Sequence, residues 1–302
     1  MKYISIILLT ISFIGCKDVP EKSDKLNIVT TTSMITDLVK NIGGEYVDIN
    51  GLMGAGVDPH LYKASEGDVS KLYNANIIFY NGLHLEGKLV EVFEKMESPD
   101  KIQVGLADAL DETTLIGSEY FASNYDPHVW FDIEYFKLFG KKVAQVLSDN
   151  DPAHALQYAE NEKIYIAKLD ALQDEIRATI GSLPVEKRIL VTAHDAFNYF
   201  GKAYNFEVVG LQGLSTATEA GVQDVQRLSS FIIENNVKAI FVESSVPRRT
   251  IEALREAVKS KGHNVVIGGS LFSDALGNPD TAEGTYIGMF RYNVNTIVNE
   301  LK

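Results

Sequence analysis

The 302-residue sequence predicts an α/β fold of two lobes, each a four-stranded parallel sheet flanked by helices, bridged by one long rigid helix. Three observations carry this. From Leu26 onward short apolar runs alternate with longer amphipathic stretches, the pattern of strands that feed helices and therefore pair in parallel. The alternation runs through four strand and helix units, stops, and resumes for four more. Between the two sets lies a stretch without strand character in which apolar residues recur at i, i+3 and i+4 spacing.

The chain opens on MKYISIILLTISFIGCKD, with a basic Lys2, an apolar run from Tyr3 to Ile14, and small Gly15 ahead of Cys16. That layout reads as a signal peptide over residues 1–15, and its apolar run is too short to span a bilayer. FIGC is similar to a bacterial lipobox, in which cleavage before the cysteine leaves it as a diacylated N-terminus. The plainer alternative is an ordinary signal peptide with an incidental thiol. Residues 16–25 are then the lipidated N-terminus and a polar tether, KDVPEKSDK.

The first lobe is expected over 26–150. LNIVTT, EYVDINGLM, NIIFYNG and IQVGLAD read as its strands, and MITDLVKNIGG, EGDVSKLYNA, LEGKLVEVFEKM and IEYFKLFGKKVAQVLSD as the helices that follow them. Residues 151–184 form the connecting helix, with Pro152 near its start and Gly181 and Pro184 at its end. A helix of about 28 residues runs roughly 40 Å. Such a connector is stiff and restrains the lobes to small opening movements. Two helices broken near Asp170 are the alternative. The second lobe, 185–302, repeats the rhythm: RILVTA then AFNYFGKAY, FEVVGL then VQDVQRLSSFIIENN, AIFVES then RTIEALREAVKSKG, NVVIGG then GTYIGMFRYNVNTIVNEL.

Composition narrows the chemistry. Cys16 is the only cysteine, so a processed chain has no thiol for a disulfide, an iron–sulfur cluster or a thiolate metal site. Any metal must use nitrogen and oxygen donors. A net charge of -13 disfavours nucleic acid and acidic lipid as partners and mildly favours cations.

Asp-Pro-His occurs twice, in GVDPHLYKAS ending at His60 and in NYDPHVWFDI ending at His128, in a chain with only 6 histidines and 8 prolines. Proline fixes its own φ and pushes the preceding aspartate into an extended conformation, so each histidine leaves its loop in a defined direction. Asp58 and Asp126 are placed to bond nearby backbone N–H groups or a ring nitrogen, and so to hold an imidazole that precedes a metal. Taken singly, each motif also reads as a turn with a surface histidine. Ligands of open parallel sheets bind beyond the carboxyl ends of the strands. There the sequence sets His60 after the second strand, His128 after the fourth, His194 in AHDAF after the fifth and Asp274 in SLFSDALG after the eighth. If the lobes face each other across a cleft, three imidazoles and one carboxylate converge in it. His84, in NGLHLEGKL, also follows a strand and is a rival ligand or a residue at the start of a helix near the cleft rim; His154 and His263 are expected to be solvated. Glu243, in FVESSV, is open to a supporting hydrogen bond, a loop contact or direct ligation.

At these residues the chain resembles the zinc/manganese solute-binding lipoproteins of ABC transporters, the TroA/ZnuA-like family also described as metal-binding adhesin-type lipoproteins. The resemblance runs from about Leu26 to the C-terminus and is carried by VDPHLYKASEGDVSKLYNANIIFYNG, DPHVWFD, VTAHDAFNYFG, FVESSV, SLFSDALG and GTYIGMFRYNV. It implies two α/β lobes bridged by a long rigid helix, with the metal in the inter-lobe cleft on His60, His128, His194 and Asp274. Zinc-importer members carry a long His- and acid-rich loop where this chain has the short ALDETTLIGSEYFASNY, and manganese-type members often have glutamate where it has His194. Imidazole donors and the Irving–Williams order favour Zn2+, with Mn2+ next and Fe2+ behind.

The resemblance implies an extracytoplasmic solute-binding protein that captures the ion and delivers it to an ABC importer's permease and ATPase. It would be a monomer on a lipid anchor, in the periplasm or on the cell surface of a bacterium. A metal-dependent hydrolase using the same histidine cluster is the alternative, but a catalytic zinc keeps three protein ligands and an open position. No HExxH string, nucleophile elbow or phosphate loop occurs. A binder of a small organic solute would want aromatic walls and a basic clamp.

Overall fold

The computed structural model describes residues 25–96, 101–119 and 121–302. The expected signal peptide, the acylated Cys16 and all of the tether but Lys25 lie outside them. In the first lobe, β1 (Leu26–Thr30), β2 (Val47–Gly51), β3 (Ile77–Tyr80) and β4 (Ile102–Gly105) form one parallel sheet in the order β2-β1-β3-β4. Its helices are α1 (Ser33–Gly43), α2 (Glu66–Asn74), α3 (Val90–Lys95) and α4 (Ile133–Asn150). Local chemistry starts them. Thr32 caps α1 by accepting from Ile35 N, and a Ser65/Asp68 capping box opens α2 just after the first Asp-Pro-His loop.

The second lobe repeats the order: β5 (Ile189–His194), α6 (Asn198–Tyr204), β6 (Glu207–Gln212), α7 (Val222–Glu234), β7 (Ala239–Glu243), α8 (Arg249–Ser260), β8 (Val266–Leu271) and α9 (Tyr286–Leu301). Its strands pair as two parallel ladders, β5 with β6 and β7 with β8, and β5 packs beside β7. The lateral order β6-β5-β7-β8 thus matches the first lobe, although no hydrogen-bonded ladder joins the middle pair. In both lobes the strand order switches sides between the first and third strands, and the crevice that this opens is where ligands of such sheets bind.

The connector is one unbroken helix, α5 (Ala155–Gly181), of 27 residues, entered through a 3-10 turn at Pro152–His154. No break occurs near Asp170. That aspartate instead joins Glu134 and Gln173 around the buried ammonium of Lys137, tying α4 to α5. On the other side Arg291 of α9 pairs with Glu175 through two bonds, of 2.7 and 2.8 Å. The main apolar core is continuous across both lobes: Leu38, Phe136 and Trp130 of the first, Tyr165, Leu169 and Leu172 of α5, and Phe197, Tyr286 and Phe290 of the second. Each lobe adds a smaller cluster beneath its outer helices. No helix among the described residues is long and apolar enough to cross a membrane.

Candidate metal centre

The two switch-point crevices face each other, and the elements that meet there bring His60, His128, His194 and Asp274 together. One donor atom from each lies within 4.8 Å of the others, and all four residues are buried. His60 Nε2 is 3.3 Å from His128 Nε2, His128 Nε2 is 3.6 Å from Asp274 Oδ1, and His194 Nε2 is 3.2 Å from Asp274 Oδ2. A tetrahedron built on metal–nitrogen bonds of about 2.0–2.1 Å has edges of about 3.3–3.4 Å, so these spacings suit one small cation. His194 Nε2 and Asp274 Oδ1 are buried with no hydrogen-bond partner, as donors reserved for an ion are.

The two Asp-Pro-His motifs are used differently. Asp126 is fully buried, and its Oδ1 accepts from the His128 backbone N–H at 2.9 Å and lies 2.7 Å from the His128 ring Nδ1. The second lobe then holds this loop. Asn198 Nδ2 donates to Asp126 Oδ2 at 3.0 Å, Tyr199 Oη donates to the Asp126 carbonyl at 3.1 Å, and Trp130 Nε1 donates to the Ser273 carbonyl at 3.1 Å. Asp58 makes no bond to an imidazole. Its Oδ1 accepts from His60 N at 2.9 Å and its Oδ2 accepts from Thr216 Oγ1 at 2.6 Å, across the cleft.

Glu243 ends β7 beside His194, which ends β5. Its Oε1 accepts from the His194 backbone N–H at 2.8 Å, and its Oε2 lies 2.5 Å from His194 Nδ1, off the line of the ring N–H. It stands behind His194 rather than among the four clustered donors. The residue after His194 can approach β6 because position 210 is glycine, where a Cβ would lie 2.5 Å from Asp195 N. In the first lobe another buried carboxylate plays a comparable part. Glu86 Oε1 accepts from Thr31 Oγ1 at 2.7 Å and from Asn81 N at 2.6 Å, and Asn81 Nδ2 in turn donates to the Pro127 carbonyl at 3.0 Å.

Electrostatics separates the three imidazoles. Burial, aided by its two imidazole neighbours, pushes His60 down to about 3 against the pull of Asp274, so its ring is neutral. Burial also works against protonated His194, yet Asp274 and then Glu243 hold its pKa well above the ordinary value. Burial alone would raise Asp274, but His194, then His128 and His60, keep it below the usual carboxylate range.

The remaining histidines fall outside the cluster. His84 sits in a turn with φ of +62° rather than at a helix start, and is exposed, its ring 6.4 Å from Phe121. His154 is not simply solvated: it stacks on Tyr46 at 4.5 Å and its Nδ1 lies 2.7 Å from Asp151 Oδ2. His263 Nε2 is buried without a partner, also against expectation. Reading the sequence alone missed Asn81, Glu86, Asn198 and Thr216. All but Glu86 lie within a few residues after a strand end, the one signal that would have found them.

The family model described as zinc-uptake complex component A, periplasmic, matches residues 28–300. The zinc-binding protein TroA of Treponema pallidum is 47% identical over 287 residues, covering 95% of this chain and 92% of its own. The manganese-binding lipoprotein MntA of Bacillus subtilis is 45% identical, covering 99% of this chain and 98% of its own. The solved periplasmic zinc-binding protein TroA from Treponema pallidum superposes with a TM-score of 0.89 at 48% identity, covering 92% of this chain and 99% of that one.

Proposed function

The chain belongs to the zinc-uptake component A family, the zinc- and manganese-binding solute-binding proteins of ABC transporters, and on that premise we propose that it captures one divalent transition-metal ion on His60, His128, His194 and Asp274 and delivers it to an ABC importer. The observation that carries the reading is the convergence of four buried donors from both lobes within 4.8 Å. It acts outside the cytoplasm, held to the membrane by lipid on Cys16, and is a binding protein and not an enzyme. Four protein donors saturate a tetrahedral ion, whereas hydrolytic zinc keeps a position for water.

Zinc is the favoured cargo and manganese the next. Three imidazoles and one carboxylate make a borderline donor set, and the short donor spacings suit a four-coordinate ion. The relatives named for zinc and for manganese are nearly equally similar, so the preference rests on donor chemistry. Asp126 and Glu243 serve as supports behind His128 and His194, and Asp58 holds the backbone of His60.

The test is metal uptake by chelator-stripped protein. Wild type should bind one zinc per chain and gain about 4 kcal/mol of stability at a free concentration 1,000-fold above Kd. Alanine at any of the four donors should lower affinity sharply, and His84→Ala should not. No uptake by wild type, or a large loss at His84, refutes the assignment.

A further inference from the structure

Thr216 is the one buried residue between Gly213 and Arg227, a segment otherwise half-buried or exposed. Its hydroxyl reaches across the cleft to Asp58 Oδ2 at 2.6 Å, while Asp58 Oδ1 accepts from the His60 backbone N–H at 2.9 Å. One carboxylate therefore joins the first lobe's outer ligand loop to the β6–α7 segment of the second. The other repeat of the motif has far more support, with Asn81, Asn198 and Tyr199 bonded to its loop and its own Trp130 donating to the Ser273 carbonyl of the second lobe. His128 is consequently built in, and among the described residues no carboxylate pairs with the His60 ring on its far side.

The β6–α7 segment also has room to move. A cavity of about 520 Å³ lies against it, lined by Phe121, Asp195, Gln212 and the segment's own Ser215 and Thr218. A second, of about 270 Å³, lies between Leu211, Ala220, Val225 and Arg249. Phe121 joins the first cavity to the site, for its ring meets His60 edge-on at 6.4 Å. Both cavities are open to solvent rather than enclosed, so the segment is packed on one side and can swing without displacing core side chains.

We infer that Thr216 is a positioning residue for metal release: its hydrogen bond to Asp58 latches His60 onto the ion, and opening of the 213–221 segment frees His60 first, while His128, His194 and Asp274 stay in place. This deepens the metal-binding reading above and rests on it. The latch sets how long the ion stays, since a bond that must break before release acts on the dissociation rate.

The experiment mixes zinc-loaded protein with excess chelator in a stopped-flow instrument. Thr216→Val, which keeps the shape and removes the donor, should release zinc about 10- to 100-fold faster, the range expected for losing a hydrogen bond to an ionised group. Thr216→Ser should restore the slow rate. In a His60→Ala background the latch has nothing to hold, so adding Thr216→Val should change nothing; a purely structural role would accelerate release in both backgrounds. An unchanged rate in Thr216→Val, or equal acceleration in both, overturns the latch, whereas a wild type that takes up no zinc overturns the metal-binding reading itself. Hydrogen exchange on wild type carries no folding risk: zinc should protect the amides of 213–221 more than those of 126–131, and equal protection also overturns the proposal.

Discussion

Asp126→Asn measures how much metal affinity is held behind the ligands. Asp126 Oδ1 serves two donors of one residue, the His128 backbone at 2.9 Å and the ring Nδ1 at 2.7 Å, in a site with no solvent to take over. The amide keeps the shape and removes the charge. It also turns a donor toward Asn198 Nδ2, which now donates to Oδ2 at 3.0 Å, so one of the two amides must flip or lose its bond. Charge-assisted hydrogen bonds are roughly twice as strong as neutral ones, and residues that orient metal-bound histidines are typically worth 10- to 100-fold in affinity, about 1.4–2.7 kcal/mol. The assay is competition for zinc against a chromophoric chelator, with far-UV circular dichroism to establish folding. A folded Asp126→Asn protein of wild-type affinity would show that His128 is aimed by packing alone.

Three further outcomes are expected. Burial opposes protonated His194, but Asp274 and Glu243 raise its pKa above 6.5, so near neutrality an arriving ion must expel a proton that the metal-free site holds. Affinity should then rise with pH until His194's own pKa is passed, and calorimetry in buffers of different ionisation enthalpy should detect proton release on binding; a count of zero refutes this. His194→Glu, combined with Glu243→Gln to remove the like charge behind it, should lower the zinc-to-manganese affinity ratio in competitive titration, because an anionic oxygen replaces an imidazole. Radiolabelled palmitate should enter the wild-type chain and not Cys16→Ala, and labelling of the variant would exclude lipid on that cysteine.

The parts of the fold legible in the sequence are those governed by neighbours in the chain. Alternation marked every strand and helix because each is short and amphipathic, and α5 stood out because its apolar positions keep helical spacing through Asp170. The four clustered donors were legible for a related reason, since each follows a strand end, where a parallel sheet exposes its loops. What could not be read depends on distant partners. Asn198 meets Asp126 across 72 positions and Thr216 meets Asp58 across 158, and neither has a periodic or motif signal. The split of the second sheet into two ladders has no sequence signature either. Glu243 was left open among three roles because sequence sets it at a strand end without giving its distance from β5.

Tyr286 has consequences for how the polypeptide comes to be folded at all. It begins α9, after every other element, yet its ring stacks on Phe136 at 3.7 Å, its hydroxyl bonds the Trp130 carbonyl at 2.6 Å, and its backbone N–H bonds Asp37 in α1 at 3.0 Å. Chains of separate domains fold one unit at a time from the N-terminus as they emerge. This one has no such option. Until α9 arrives, α1, α4 and α5 have an unfilled apolar face and the Asp37 carboxylate keeps only Tyr165 and Asn41 as donors, so the first lobe's core is completed by the last helix. A chain that stops ahead of Tyr286 therefore leaves the core shared by the two lobes open, and truncation there should cost the first lobe its stability as well as the second.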